Sequence, residues 1–229
     1  MEFKDIRRKI LGEDKYREDD LSAIEELNRS FIMAAKCRYL ASARLKHIGQ
    51  FSSHTTTILS LGLIFIPLVQ FAGLQLSFPD KLLGVLQIFL AVSVLVYSVI
   101  NTQGRYSLRA EKLNQCGDKI KELQRQLSYE IKSGKNPDYQ SYHSKYLDIE
   151  VDAENHSRLD YMFARLDLTT IYHLSGCRRA YTVLIAYLRK LLTFTGPGIM
   201  FCIVFVIILD ALKIYTPLSS VMVPLLPNG

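Results

Sequence analysis

ILSLGLIFIPLVQFAGLQLSF, residues Ile58–Phe78, is followed after Pro79-Asp80-Lys81 by LLGVLQIFLAVSVLVYSVI, residues Leu82–Ile100. Neither run contains a charge. The first is 21 residues long, enough to cross a hydrocarbon core of roughly 30 Å at about 1.5 Å per residue. The three residues between the runs form a turn and no more, so the pair predicts an antiparallel transmembrane hairpin. A buried hairpin in a water-soluble core would not need two adjacent uncharged runs of this length.

Charge sets the orientation. Lys36, Arg38, Arg44 and Lys46 precede the first run, and Arg105, Arg109 and Lys112 follow the second. The turn between them carries one Lys and one Asp. Basic residues flank spans on the cytoplasmic side, which predicts a cytoplasmic N-terminus and central region and an external hairpin tip. A third apolar run, Leu191–Leu209, is interrupted by Gly196-Pro197-Gly198. Arg178, Arg179, Arg189 and Lys190 precede it, and Lys213 follows, paired with Asp210 at helical i, i+3 spacing. It predicts a third span running outward, with a re-entrant or surface-lying segment as the alternative.

Around these runs the composition is segregated. Residues 1–55 carry 11 basic against 9 acidic side chains, and residues 101–190 carry 15 against 11. The net charge of +6 is thus too diluted by acids to form a nucleic-acid stripe, and no direct nucleic-acid binding is expected. Cys37, Cys116, Cys177 and Cys202 are scattered. With no CxxC and no Cys/His cluster, they read as free thiols in a reducing compartment rather than a metal site or disulfide framework. MEFKDIRRKILGEDKYRED at the start has no apolar core and is not a cleaved signal peptide.

The polar regions are helical by period. Ile24, Leu27, Phe31, Ala34, Ala41, Leu45 and Ile48 advance mostly in threes and fours, and so do Leu113, Cys116, Ile120, Leu123, Leu127 and Ile131. The first seam continues into the first span and the second leaves the second span, so the two can zip as an antiparallel pair. Gly134 reads as a helix-ending residue, and Asn136-Pro137 as N-cap and first turn of the next helix. That helix places Tyr139, Tyr142, Tyr146 and Ile149 on one side, as core or as a ligand-stacking surface. No β-alternation, internal repeat or low-complexity segment occurs. The fold class is all-α: a transmembrane hairpin extended into a cytoplasmic helical bundle, plus a third C-terminal span. The expected boundaries are 1–55 and 101–190 cytoplasmic, 56–100 hairpin, 191–214 third span and 215–229 external tail.

The polar residues offer two candidate sites. NHSRLDY, Asn155–Tyr161, packs an amide, an imidazole, a cation, a carboxylate and a phenol into two helical turns. His156 and Asp160 stand at i, i+4, within hydrogen-bond reach on one helical face. There is no phosphate loop, HExxH or GxSxG, and neither nucleophile nor oxyanion site accompanies the pair. No catalysis, cofactor or metal is therefore expected. The motif reads as a packing knot where helices converge, or as a surface that receives a signal. Inside the spans, Gln70, Gln75, Gln87 and Ser93 are candidates to line a water-filled pore, against the plainer reading of interhelical hydrogen bonding. One hairpin cannot enclose a channel, so conduction would require a homo-oligomer. Pro67 removes a backbone bond from the first span and offers a place to bend.

AAKCRYLASARLKHIGQFSSHTTTILSL entering the first span, YSVINTQGRYSLRAEKLNQCGDKIKELQRQL leaving the second, and NHSRLDY beyond resemble the SLATT family, the SMODS- and SLOG-associating two-transmembrane effector domains. The fifth subfamily, with its extended C-terminal part, is the most similar. Arg109-Ala110-Glu111 and the Asn155-His156 and Asp160-Tyr161 pairs carry most of the likeness, which covers roughly residues 20–210. The resemblance implies a bacterial anti-phage or conflict-system effector that forms pores in, or disrupts, the inner membrane once infection is sensed. It further implies a companion sensor, a synthase making a nucleotide second messenger, or a reverse transcriptase as partner. Arg109, Glu111, Asn155, His156, Asp160 and Tyr161 would then relay the signal or pack the bundle. The rival reading is a non-conducting membrane adaptor that docks a companion defence enzyme such as a reverse transcriptase.

Overall fold

A computed structural model of the chain describes residues 22–73, 78–151, 154–169, 171–172, 176–211 and 214. Among these residues the regular elements are all helices: α1 (Ala23–Phe71), α2 (Asp80–Gly104), α3 (Tyr106–Lys132), α4 (Tyr139–Glu150), α5 (Arg158–Asp167), α6 (Gly176–Thr193) and α7 (Thr195–Ala211). The expected all-α class holds. The chain divides into two compact units. One comprises residues up to His47 with Tyr106–Leu192, and the other Ile48–Arg105 with the residues from Thr193. The expected external tail and the Asp210–Lys213 pair involve positions outside the described residues.

Local sequence explains the breaks. At the start of α1, the Ser22 hydroxyl and backbone N–H both donate to Glu25 Oε2, at 2.9 and 3.0 Å, tying down the first turn. The helix continues through Pro67. Arg105 stands between α2 and α3 in the left-handed region, at φ 42°, and interrupts the helix leaving the second span. Gly134 closes α3 at φ 69°. Its N–H reaches the Ile131 carbonyl at 3.2 Å while that of Lys135 reaches Glu130 at 3.1 Å, the paired bonds of a glycine-terminated helix.

Two expected boundaries shift. The N-cap of α4 is Asp138 rather than Asn136: its carboxylate accepts from the N–H groups of Gln140 and Ser141, at 3.1 and 3.2 Å. A carboxylate there also favours the positive end of the helix dipole. The third apolar run breaks at Phe194, upstream of Gly196-Pro197-Gly198. Proline lacks the N–H that a helix interior requires but fits a first turn, so α7 begins just before Pro197.

In the first unit the two predicted seams do zip. Leu27, Phe31 and Ala35 of α1 pack with Cys116, Ile120, Leu123 and Leu127 of α3 and with Tyr142 of α4. Ala41 and Leu45 meet Ala110 and Leu113. Hydrogen bonds confirm the antiparallel register: Gln124 to Asn28 at 3.1 Å, Tyr39 to Asp118 at 2.7 Å, and Ser42 to the Ala110 carbonyl at 2.7 Å. The pair approaches closely at Gly117, where a Cβ would lie 3.0 Å from the Tyr39 ring. Of the tyrosine row, Tyr142 is buried, Tyr146 stacks on Phe31 with ring centroids 5.0 Å apart, and Tyr139 is exposed beside His143. The row is therefore mostly core.

In the second unit Leu59 and Ile66 of α1, Leu83 and Leu90 of α2, and Val204 of α7 form the centre, with Phe78. Gly62 lets α7 come near, its Cβ direction ending 3.4 Å from Ile208 and 3.5 Å from Val204. α1 and the α2–α3 stretch contain segments long and apolar enough to cross a membrane. α7 has 17 residues and measures about 26 Å, a turn short of a full hydrocarbon core.

Candidate functional site

The polar residues of the first unit converge where α1, α3, α4 and α5 meet. The start of α5 is set by its sequence, Ser157-Arg158-Leu159-Asp160. The Ser157 hydroxyl accepts from the Asp160 N–H at 3.3 Å, and the Asp160 carboxylate reaches back to the Ser157 N–H at 2.9 Å. This reciprocal box satisfies two otherwise orphaned donors. The same carboxylate, only 2% exposed, also accepts from the Ser157 hydroxyl at 2.6 Å. It also holds the Arg44 guanidinium by two bonds, Nε to Oδ1 at 2.9 Å and Nη2 to Oδ2 at 3.0 Å. A buried carboxylate needs such saturation, since an unpaired charge in the interior is expensive.

A second set of bonds runs through Arg38, which is 3% exposed. Its Nη2 donates to Glu150 Oε1 at 2.9 Å and its Nη1 to the backbone carbonyl of Glu154. Glu150 also accepts the Tyr146 hydroxyl at 2.7 Å. The Glu154 carboxylate is gripped by Arg109 in a bidentate pair, Nε at 2.8 Å and Nη2 at 3.0 Å, half open to solvent. One chain of partners thus links Tyr146, Glu150, Arg38, Glu154 and Arg109. Three guanidiniums face three carboxylates, so the junction is balanced in charge, while Arg38 Nε stays buried without a hydrogen-bond partner among the described residues. Such planar forks fix geometry tightly.

The thiol, phenol and imidazole around this junction are each biased toward the neutral form. Cys37, buried with Met33 and Ala164, has its thiol pushed up to about 11 by burial and then by Asp160, so it is no thiolate nucleophile. Burial likewise raises the Tyr146 phenol, helped by its bond to Glu150. His156 is shifted downward, first by burial and then by Arg38. Its Nδ1 has no hydrogen-bond partner among the described residues.

The family model for the SMODS and SLOG-associating 2TM effector domain, family 5, matches residues 20–209. The chain belongs to this family. The match takes in α1 to α6 and nearly all of α7. It identifies a two-transmembrane effector domain of the kind associated with conflict systems, and hence a membrane protein with a general role in defence. No curated protein and no solved structure matches the chain.

In this SLATT chain the sequence-derived residues are distributed unevenly. Asp160 and Arg109 are at the junction, with Asn155 and His156 on the segment between Glu154 and Ser157. Asn155 accepts from the His156 backbone N–H at 2.9 Å, and Tyr161 lies beside the His156 ring at 6.5 Å. Glu111 joins none of these pairs: it sits on the exposed side of α3 and accepts from Gln115 at 3.0 Å. His156 and Asp160 do not share a helical face, because Ser157 caps α5 and leaves His156 outside it. Arg38, Arg44, Glu150, Glu154 and Ser157 were missed as site residues. By sequence Arg38 and Arg44 read only as orienting charges, although Arg38 falls in step with Ala34, Ala41 and Leu45 on the buried seam. A cation inside an apolar stripe was the available signal.

The pore candidates are brought together in part. Gln87 donates to Gln70 Oε1 at 2.8 Å, and Gln70 donates to Asp80 at 3.4 Å. Buried Ser93 donates to the Phe89 carbonyl one turn back at 2.8 Å. Asn101 bonds Thr56 at 3.3 Å. Gln75 lies outside the described residues.

Proposed function

We propose that this SLATT protein is a bacterial inner-membrane defence effector that assembles into a homo-oligomeric pore when triggered, depolarising the membrane and arresting growth or killing the cell. The observation that carries this reading is the inverted second unit. Its outward side chains are Leu61, Ile64, Leu68, Val85 and Ile88, while the Gln70–Gln87 pair and Ser93 lie inward. In a single chain Gln87 donates to Gln70, which in turn donates to Asp80. Assembly gives the same amides a place to face water along a shared axis, at the small cost of exchanging one hydrogen bond.

The trigger acts on the first unit. An anionic ligand such as a nucleotide second messenger, or an acidic partner surface, would compete with Glu154 for Arg109 in the solvent-open part of the junction. To move such an equilibrium decisively, the ligand must favour one state by several kcal/mol. No catalytic step is required of the chain. The N-terminus and first unit lie in the cytoplasm on this reading, by the bias of basic residues. α7 would complete a third crossing only with local thinning or tilt of its neighbours.

Induced expression with a potential-sensitive dye tests the reading. Depolarisation in the presence of the neighbouring genes is expected, and Gln70→Leu or Gln87→Leu should blunt it without lowering the amount in the membrane. Undiminished membrane potential in growth-arrested cells would overturn it. The adaptor alternative is separated by replacing residues 58–100 with an unrelated hairpin: an adaptor continues to work, whereas a pore former does not.

A further inference from the structure

Neither the ion-pair junction nor the hairpin accounts for α6. Tyr181, Leu184, Leu188 and Leu191 advance by three, four and three residues, so they share one face. They are 65, 66, 56 and 66% exposed. Leu192 widens the stripe, and Tyr187 borders it where its ring meets Phe163 of α5 edge-on at 5.7 Å. The opposite side of the helix carries Ala186, which is fully buried. Around that side Lys190 sits 6.0 Å from the centre of the Phe163 ring and Arg189 reaches the Met162 sulfur at 3.8 Å. α6 therefore rests on α5 by one face and turns its apolar face away from the protein.

An exposed stripe of this kind marks a binding surface, and three features choose among occupants. α6 contains no acid, and its exposed cations Arg179, Arg189 and Lys190 all lie off the stripe. They therefore complement an anionic surface without interrupting an apolar one. The stripe includes Tyr181, whose apolar ring and polar tip suit a membrane–water interface. The chain then passes through Phe194 alone into α7, whose Val204 is packed against the hairpin helices. We propose that α6 lies in the plane of the bilayer interface, with its tyrosine–leucine face among the acyl chains and its cations at anionic lipid headgroups. This is the geometry of monotopic amphipathic helices. It ties α5, which carries Asp160, to the lipid surface, and it does not depend on whether the protein conducts ions.

The test uses the full chain in liposomes of phosphatidylcholine with or without phosphatidylglycerol. The background is Cys177→Ser with Cys202→Ser, which keeps the buried Cys37 and Cys116. A polarity-sensitive dye is placed at Leu184→Cys or Leu191→Cys on the stripe, or at Arg179→Cys or Thr182→Cys off it. Ile88→Cys in α2 reports that the hairpin is inserted. Doxyl-labelled lipid should quench the stripe positions about threefold more than the others, and aqueous iodide should do the reverse. Omitting phosphatidylglycerol should reduce stripe quenching about twofold. With Ile88→Cys quenched normally, equal lipid quenching on both sides of α6 overturns the proposal. Stripe positions shielded from both quenchers, with energy transfer between labelled chains, overturn it in favour of a second copy as the occupant. Stripe quenching indifferent to lipid charge overturns the assigned role of the cations.

Discussion

In the first unit α3 turns Glu111, Lys119 and Glu122 outward and Leu113, Ile120 and Leu127 inward. In the second unit α2 turns Val85, Ile88 and Val92 outward and keeps Gln87 and Ser93 among its neighbours. Both arrangements pack helices closely at a small residue, Gly117 between antiparallel α1 and α3 in one and Gly62 between α1 and α7 in the other. The solvent differs, and that reverses which side chains are exceptional. In water the exceptions are buried charges, which persist only as saturated pairs such as Arg44–Asp160. In lipid the exceptions are buried amides and hydroxyls, which hold helices together at modest strength.

Asp160→Ala is the most severe way to break the first half of this contrast. It strips Arg44 of its partner and Ser157 of its reciprocal cap, and removing one member of such a pair costs about 4 kcal/mol. Denaturation of the purified chain in detergent, followed by the far-ultraviolet helix signal, should show the loss. Arg44→Met with Asp160→Leu should recover much of it. The second half is broken by a charge on the outward face of α2. Val92→Lys should oppose insertion by about 3 kcal/mol, read as protein lost from the carbonate-resistant membrane fraction. The matching change on the outward face of α3, Gln126→Lys, should alter neither quantity.

Hydrophobic period made the hairpin, both seams and the all-α class legible, because each depends on which face of a helix meets its solvent. It did not reveal the junction. Arg38 and Arg44 have two physical roles at once, flanking a span and pairing inside a bundle, and charge counting registers only the first. Glu150 and Glu154 come from the end of α4 and the segment beyond it, more than a hundred residues from Arg38, so no local spacing joins them. The reach of His156 to Asp160 failed for a local reason that was nonetheless readable: Ser157-x-x-Asp160 is a helix start, which excludes His156 from the helix. The face of α6 shows the converse. Its period is plain, but that it stays uncovered is a tertiary fact.

Smaller substitutions sharpen the contrast. Gln87→Leu removes an interhelical bond whose loss in lipid is worth about 0.6 kcal/mol. Its effect on unfolding should therefore be a small fraction of that of Asp160→Ala, while its effect on depolarisation is large. Arg105→Gly addresses the break between α2 and α3. Relief of a left-handed non-glycine residue gains about 1 kcal/mol, and the greater freedom of glycine in the unfolded chain offsets about half of that. A slight stabilisation is expected in the same detergent assay, and destabilisation would mean that the Arg105 side chain contributes to packing.

The smallest effect separates the junction from the hairpin by pH. His156 is held below its ordinary value of 6.5 by burial and by Arg38 on α1, against the opposing pull of Asp160 on α5 and Glu150 on α4. The folded chain therefore binds fewer protons at this site than the unfolded chain. Stability contributed by neutral His156 is fully present above about pH 6.5 and is lost as the pH falls toward the lowered folded value. Because the ring is only half buried, the loss is modest. Unfolding measured between pH 7.5 and 5.5 should show the wild-type chain weakening on the acid side. His156→Gln should flatten that slope. Gln87→Leu, which changes no titrating group, should leave it intact. An unchanged slope in His156→Gln would place the acid sensitivity elsewhere in the bundle.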